Sequence, residues 1–301
     1  MIRGPFFFLL LLTALAAAGE PVFKAHARPV MTWVPPYETA KSKARLRDWP
    51  AENEAAAALT HVALQFWAPS TEGAVKRVTR YDRLTDALIA EWRDWAHAHG
   101  LRAMLCVYNG EVNWDWPLAQ AGFAKNPEKF VAALVGEMEL HRLDGIDIDL
   151  EGNGDFEKER PVFVAFMQRL STEVRTRQKQ LFVDTFAYKW NAPNQLWWPE
   201  LFPLVDGLSS MGYEETGAHS TGWRAYSAQA AAAGPQASKL LLGLPTHLAR
   251  WQETDLLAHL TWFATTPAGP GVALWDAQFK AALWRTPEPW RTLQRLHEKK
   301  P

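Results

Sequence analysis

The stretch LDGIDIDLE, residues 143–151, places acidic residues at every second position among large aliphatic side chains. Asp147, Asp149 and Glu151 are the three acids of this alternation. Successive side chains of a β-strand point to opposite faces, so the three carboxyl groups are predicted to share one face. Like charges on one face repel each other, and the pKa of at least one carboxyl group should therefore rise. A carboxyl group that keeps its proton near neutral pH can act as a general acid, so the pattern predicts a catalytic site.

Apolar segments typical of strands alternate with helical patterns along the chain. The helical pattern that begins at Asn126 has Pro127 in its first turn, which is a common helix start. The eight strand-like segments are 30–37, 61–67, 101–109, 145–151, 181–190, 205–214, 239–247 and 271–279. They predict an α/β fold, a single-domain (β/α)8 TIM barrel over residues 19–301, without a large insertion between strands seven and eight. A doubly wound open sheet is the alternative, but no glycine-rich phosphate loop follows the first strand.

A barrel of this kind carries its active site at the C-terminal ends of the strands. Glu151 ends the fourth predicted strand and should lie at that rim, with Asp149 and Asp147 progressively deeper. Asp144 falls at the opposite end of the strand, where we expect a structural hydrogen-bonding role. Other residues at predicted strand ends are Trp33, Trp67, Asn109, Tyr188, Tyr213 and Trp275. Acids among aromatic side chains at a barrel mouth predict a glycosidase, and the 16 tryptophans suit stacking against sugar rings.

Residues 1–18 are predicted to be a secretory signal peptide. MIRG supplies positive charge, PFFFLLLLTAL an apolar run, and AAAG a small-residue cleavage site near Ala18. The apolar run is short for a bilayer span and no lipobox cysteine follows, so we expect a secreted or periplasmic protein without stable membrane insertion. The net charge of −1 lacks the basic excess that nucleic-acid binding requires. Cys106, the one cysteine, lies in an apolar strand and is expected to be a buried, inert thiol.

The DGIDIDLE stretch resembles the D-G-x-D-x-D-x-E signature of family 18 glycoside hydrolases, the chitinases and endo-β-N-acetylglucosaminidases. MGYE, residues 211–214, resembles the sixth-strand M-x-Y-D of that family, and VALWD, residues 272–276, resembles its eighth-strand tryptophan motif. The resemblance implies an enzyme that cleaves β-linked N-acetylglucosamine (GlcNAc) glycosides, such as chitin oligosaccharides, glycan cores or peptidoglycan-derived sugars. It implies neither a cofactor nor a metal ion.

The same resemblance implies a role for each matching residue. Glu151 would be the general acid, and the substrate's own 2-acetamido oxygen would attack the anomeric carbon to form an oxazolinium intermediate with overall retention. Asp149 would orient the acetamido nitrogen, Asp147 would hold Asp149, and Tyr213 would bind the acetamido oxygen. The expected substrate-binding residues are Trp275, which would form the floor of the site, together with Tyr188, Glu214, Trp33, Trp67 and Asn109.

Two positions depart from the family pattern. VYNG, residues 107–110, stands where chitinases usually have S-x-G-G, and Glu214 replaces an aspartate. With no large insertion between strands seven and eight, these departures favour short oligosaccharides over processive chitin degradation. Three alternatives stay open: a lectin-like sugar-binding protein on the same barrel, a Mg²⁺ or Ca²⁺ site completed by Glu214 or Asp184, and structural acids paired with buried bases. The retention of Glu151 favours catalysis over the lectin-like alternative.

Overall fold

The computed structural model describes residues 21–47, 52–189, 191–213, 223–246 and 253–297. Within these residues the strands are β1 (Val30–Val34), β2 (His61–Pro69), β3 (Val75–Arg77), β4 (Arg102–Tyr108), β5 (Gly145–Asp149), β6 (Gln180–Thr185), β7 (Gly207–Ser210), β8 (Leu240–Pro245) and β9 (Gly271–Trp275). All except β3 pair in parallel and form a closed barrel, because β1 pairs with both β2 and β9. Strand β3 pairs antiparallel with the C-terminal end of β2 and lies outside the barrel order.

Helices connect the strands. Within the same described residues they are α1 (Thr39–Leu46), α2 (Glu52–Ala58), α3 (Asp86–Ala98), α4 (Trp116–Phe123), α5 (Pro127–Leu140), α6 (Phe156–Thr176), α7 (Trp198–Leu201), α8 (Trp223–Ala233), α9 (Glu253–Thr265) and α10 (Pro287–Gln294). The start predicted at Asn126 and Pro127 is confirmed, although the Asn126 side chain donates to the carbonyl of Ala121 at 2.9 Å and does not cap α5. No helix among the described residues is long and apolar enough to cross a membrane.

The predicted (β/α)8 barrel is confirmed. Each predicted strand coincides with a strand of the barrel, and the alternative of an open doubly wound sheet is wrong because β1 closes onto β9. All the barrel strands except β2 end earlier than predicted. The segment 271–279, for example, contributes β9 only up to Trp275, whereas β2 extends past residue 67 to Pro69. The apolar residues past each strand end belong to the loops above the barrel, which is where this architecture places its sites.

Strand alternation divides the core into two clusters. Outward-facing side chains, including those of Ile146, Ile148 and Leu150, belong to the larger cluster that also contains the apolar faces of the helices. The smaller cluster fills the barrel interior and consists of Met31, Trp33, Ala63, Met104, Cys106, Phe182, Leu241 and Ala273. Asp147 and Asp149 alternate with the isoleucines, and both are at most 2% exposed. The prediction that these acids share one face is therefore confirmed, and that face is the barrel interior.

A β-bulge in β2 overturns the prediction for Trp67. Leu64 pairs with Leu105 and Trp67 with Val107, so β2 carries one extra residue over this interval. The extra residue reverses the alternation, and Trp67 joins the outer cluster instead of the barrel interior. Its indole N–H donates to the Glu137 carboxylate on α5 at 2.8 Å. The prediction that Trp67 binds substrate is wrong, because a bulge cannot be read from the spacing of apolar residues.

Asp144 has the structural role expected for the opposite end of the strand. Its carboxylate accepts a hydrogen bond from the backbone N–H of Ala103 at 2.9 Å and contacts the His97 imidazole at 2.7 Å. The Lys179 ammonium lies 3.6 Å away. These contacts connect β4 and α3 below β5, on the side of the barrel away from Glu151.

Gly145 opens β5 in a position that excludes any larger side chain. A Cβ atom added there would collide with the carbonyl oxygen of Gln180 and with the Met104 side chain. We expect Gly145→Ala to lower the free energy of unfolding by roughly 1–3 kcal/mol, because the neighbouring backbone would have to move. Urea unfolding of both proteins measures this difference.

Gly136 supplies the matched control. It lies on the exposed side of α5, and an added Cβ would meet no atom within 4 Å. Gly136→Ala should raise the free energy of unfolding by about 0.5–1 kcal/mol, because alanine loses less conformational entropy in a helix. An unchanged stability for Gly145→Ala would contradict the close packing at the start of β5.

Candidate active site

A pocket opens at the C-terminal ends of the barrel strands. Its volume is 230 Å³, and its lining residues are Trp33, Gln65, Trp114, Asp149, Glu151, Phe186, Met211, Tyr213 and Trp275. A larger groove of 530 Å³ runs between α5 and α6 on the outer surface. The charged residues of that groove are engaged in ion pairs, such as Arg177 with Glu139 and Glu173 at 2.7 Å each, and it holds no acid of the DGIDIDLE stretch. The smaller pocket is therefore the candidate active site.

Donors from other strands hold the two buried aspartates. The Trp33 indole N–H on β1 donates to Oδ2 of Asp147 at 2.9 Å. The Gln65 amide on β2 donates to Oδ2 of Asp149 at 2.7 Å. The carboxyl groups of Asp149 and Glu151 lie within hydrogen-bonding reach of each other, so a proton on one of them can be shared with the other. The three acids thus form a chain from the barrel interior to the pocket.

Burial changes the proton affinity of every acid in this chain. Desolvation raises the pKa of Asp147 and of Asp149 to about 7, and the neighbouring Asp149 charge contributes to the rise at Asp147. Desolvation, followed by the charge of Asp149, raises the pKa of Glu151 well above its usual value. Glu151 is partly exposed to the pocket, whereas the two aspartates are not. The raised pKa favours the protonated form of Glu151 at the wall of the pocket, which is the form that a general acid requires.

Asn109 positions the backbone of Glu151. Its side-chain amide donates to the carbonyl oxygen of Glu151 at 2.8 Å, and its carbonyl oxygen accepts from the N–H of Glu151 at 2.9 Å. The same amide donates to the carbonyl of Asp115 at 3.0 Å. Asn109 is 1% exposed and does not line the pocket. The structure therefore gives this predicted substrate-binding residue a different role, which is to hold the loop just beyond β5.

Aromatic side chains form the walls of the pocket. The rings of Trp33 and Trp275 meet edge to face, with their centroids 5.9 Å apart. Trp114 stands at the mouth with 48% of its surface exposed. The Tyr213 hydroxyl is buried and has no hydrogen-bond partner among the described residues, and burial raises its pKa well above the usual value. The pocket thus combines apolar ring faces with one free hydroxyl beside the acids.

A further predicted residue, Tyr188, does not line the pocket. Tyr188 is half exposed and lines a separate surface groove of 460 Å³ together with Lys189, Gln195 and Leu196. Glu214 lies outside the described residues. The structure thus brings together six of the predicted site residues: Asp147, Asp149, Glu151, Tyr213, Trp275 and Trp33.

Four lining residues were not predicted as site residues: Gln65, Trp114, Phe186 and Met211. The position of Gln65 could have been predicted from the sequence. It lies two residues after Ala63, which faces the barrel interior, so the alternation of β2 directs Gln65 inward as well. Trp114, Phe186 and Met211 stand beyond the ends of β4, β6 and β7, where no periodic pattern marks them. Only the folded chain brings these four side chains to one pocket.

Three possible metal ligands meet inside the barrel. The thiol of Cys106 and one carboxylate oxygen each of Asp149 and Asp184 lie within 4.8 Å of one another. Mg²⁺ and Ca²⁺ prefer sets of oxygen ligands, and a thiol is a poor ligand for either ion. Burial raises the pKa of the Cys106 thiol well above its usual value, so it also holds its proton. The donor set does not suit the hard-cation site considered as an alternative.

The family model of glycosyl hydrolases family 18 matches residues 34–298. The chain belongs to this family. The resemblance of the DGIDIDLE stretch is thereby confirmed, and with it the prediction of a glycoside hydrolase. A comparison with curated proteins finds no match.

Solved structures of low sequence identity share the fold of this family 18 protein. A chitinase from Chromobacterium violaceum ATCC 12472 superposes with a TM-score of 0.69 at 17% identity, covering 91% of this chain and 100% of that one. A class V chitinase from Pseudomonas fluorescens Pf-5 gives 0.64 at 15% identity, covering 89% and 99%. The spore cortex-lytic enzyme SleL of Bacillus megaterium QM B1551 gives 0.67 at 11% identity, covering 91% and 75%.

A substitution can test whether the hydrogen bonds from the Asn109 side chain to the Glu151 backbone position Glu151. Asn109→Ala removes both hydrogen bonds to the Glu151 backbone, so the acid should lose its fixed position. We expect kcat/KM to fall about a hundredfold on any glycoside that the wild type cleaves. Circular dichroism should show an unchanged fold.

Asn126→Ala is the matched control for this experiment. It removes an asparagine hydrogen bond to the carbonyl of Ala121, outside the pocket. Its kcat/KM should equal that of the wild type. Equal activity of the Asn109 variant would show that the loop holds Glu151 without this side chain.

Proposed function

We propose that the protein hydrolyses β-linked GlcNAc glycosides by substrate-assisted, retaining catalysis. The close approach of the Asp149 and Glu151 carboxyl groups, which lie within hydrogen-bonding reach of each other, carries the proposal. Two-carboxylate glycosidases hold their acids about 5 Å or more apart, on opposite sides of the sugar. Among the described lining residues the acids are Asp149 and Glu151, and carboxyl groups so close together cannot flank a glycosidic bond. A nucleophile within the substrate resolves this problem, and the 2-acetamido oxygen of GlcNAc is such a group.

The reaction then proceeds in two steps. Glu151 donates its proton to the glycosidic oxygen, the bond from that oxygen to C1 breaks, and the acetamido oxygen bonds to C1 to give an oxazolinium ion. Asp149, ionised beneath the sugar, accepts a hydrogen bond from the acetamido N–H group and stabilises the positive charge of the oxazolinium ion. Glu151, now a carboxylate, takes a proton from water as the water attacks C1. The ring of the intermediate opens, and the product retains the β-configuration.

The remaining parts of the pocket suit an acetamido sugar. The Trp33 and Trp275 rings offer apolar surface to the C–H face of a pyranose. The unpartnered Tyr213 hydroxyl is available for the acetamido oxygen. A cavity of 230 Å³ suits one sugar residue, which favours short GlcNAc oligosaccharides, glycan cores or peptidoglycan-derived sugars. The similar folds include enzymes described as chitinases and one described as spore cortex-lytic.

Matched substrates test both the activity and its mechanism. Chitin oligosaccharides and a GlcNAc₂-core glycopeptide should be cleaved by the wild type, and their N-deacetylated counterparts should not. Glu151→Gln should lower kcat by roughly 10²–10⁴-fold, because the variant has no acid to donate. NMR of the first turnover should show the β-anomer. Glu200→Gln, which alters an exposed acid paired with Arg160, is the control and should keep full activity.

Other outcomes assign the pocket differently. If neither substrate is cut while the wild type and Glu151→Gln bind GlcNAc oligomers alike, the protein is a lectin. Cleavage of the deacetylated substrates at a similar rate, or release of the α-anomer, would exclude participation of the acetamido group.

We further propose that the protein is secreted or periplasmic, with residues 1–18 as its signal peptide. These residues lie outside the described part of the chain, and the support is the order of charged, apolar and small residues. Expression of the full chain in a bacterial host should yield exported protein whose N-terminus, by Edman sequencing, lies near Gly19. An uncleaved chain that stays in the cytoplasm would contradict this proposal.

A further inference from the structure

A fourth acid, Asp184, lies beside Asp149 inside the barrel. Ile148 on β5 pairs with Val183 on β6, so the residues that follow them, Asp149 and Asp184, are neighbours on adjoining strands. Asp184 is fully buried, and one of its carboxylate oxygens lies within 4.8 Å of an Asp149 oxygen. That distance allows a hydrogen bond either directly or through one bridging water. Asp184 does not line the pocket and has no part in the steps above.

Among the described residues, those around Asp184 include acids and no base. The titratable groups that face it are Cys106 from β4, Asp147 and Asp149 from β5, and Glu151 and Tyr213 above them. From β7 it meets only the Ser209 hydroxyl. None of the ion pairs within the described ranges includes Asp184. His61, deeper in the barrel against Phe182, stays neutral because burial lowers its pKa to about 3.

Two ionised carboxylates cannot lie side by side in such a place. Without a cation to offset them, their repulsion adds to the cost of burying each charge. When both are ionised, Oδ1 of Asp149 and both oxygens of Asp184 are buried, and the neutral donors beside them are the Ser209 hydroxyl at Asp184 and a protonated Glu151 at Asp149. A proton on Asp184 removes one charge and supplies a donor.

We propose that Asp184 is a positioning residue that keeps its proton through neutral pH and donates it to Asp149, directly or through one water. Asp149 then carries the negative charge beneath the sugar, held by Gln65 from one side and by Asp184 from the other. The donated hydrogen bond persists after Glu151 has transferred its proton, when Asp149 most needs a donor. Burial, followed by the charges of Asp147 and Asp149, raises the pKa of Asp184 well above its usual value, which supports this assignment. The catalytic part of the inference rests on the proposed function.

Two substitutions by side chains of similar size distinguish the hydrogen-bond donor of Asp184 from the volume that its side chain fills. Asp184→Asn keeps an N–H donor and should retain kcat within about threefold. Asp184→Leu has no donor, so its kcat should fall roughly ten- to a hundredfold with little change in KM. In Asp184→Leu, the acid limb of the pH profile of kcat/KM should move to higher pH. The reason is that an Asp149 carboxylate with one hydrogen-bond donor fewer has a higher pKa. Equal losses in the two variants, or an unmoved acid limb, would overturn the positioning role.

The proton on Asp184 can be measured without any substrate. An aspartate in the unfolded chain loses its proton near pH 4, whereas the folded protein would keep it on Asp184. A raised pKa in the folded state makes the fold most stable below about pH 4, and this contribution is lost as the pH rises towards the folded pKa. Asp184→Asn cannot lose stability in this way. The ratio of its unfolding constant to that of the wild type should therefore fall by about tenfold for each pH unit above pH 4. Asp94→Asn, at an exposed acid paired with Arg93, should show no such trend.

Infrared spectroscopy provides the direct readout. At pH 7 the wild type should show the C=O stretch of a protonated carboxylic acid that Asp184→Asn lacks. Absence of this difference, together with a stability difference that does not change with pH, would show that Asp184 is ionised and would overturn the inference. If the wild type cleaves no GlcNAc glycoside, the proposed function fails, while the infrared and stability measurements still decide the state of Asp184.

Discussion

The structure of the site depends on one electrostatic constraint, which is that several carboxyl groups are buried together without a buried cation. Asp147 and Asp149 have almost no contact with solvent, and no Lys or Arg pairs with either of them within the described chain. The group can exist only if its acids share protons and if neutral donors stabilise the charge that remains. The Trp33 indole and the Gln65 amide are such donors. Each comes from a different strand, so a closed barrel is required to bring them to the acids.

This constraint links stability to chemistry. Buried acids that hold protons at neutral pH lower the stability of the fold relative to apolar residues, and the large outer cluster around the barrel offsets that cost. In return, the same burial raises the pKa of Glu151 well above its usual value, which is the condition that the proposed general acid requires. A surface carboxylate, with its usual pKa, would have lost its proton well below neutral pH.

Positioning is divided between rigid and irregular elements. The strands set the depth of Asp147 and Asp149 through their register with β4 and β6. Glu151 lies just beyond the end of β5, and the Asn109 side chain replaces the strand pairing that its backbone lacks. The bulge in β2 leaves Gln65 inside the barrel and directs Trp67 towards α5. Because of this one extra residue, the Trp67 indole points away from the acids, whereas the Gln65 amide reaches Asp149.

The amino-acid sequence by itself determined the barrel and the acids within it. Alternation of polar and apolar residues with period two is a local property, so β5 and the shared face of Asp147 and Asp149 could be read from DGIDIDLE directly. The same holds for Trp33 and Trp275, which stand within strands of regular alternation. Only the tertiary structure decided where the side chains of Trp67, Asn109 and Tyr188 point, and that Trp114 and Phe186 line the pocket. A bulge, a side chain that binds a loop backbone, and the direction of a loop depend on contacts between segments far apart in the chain, which no local pattern records.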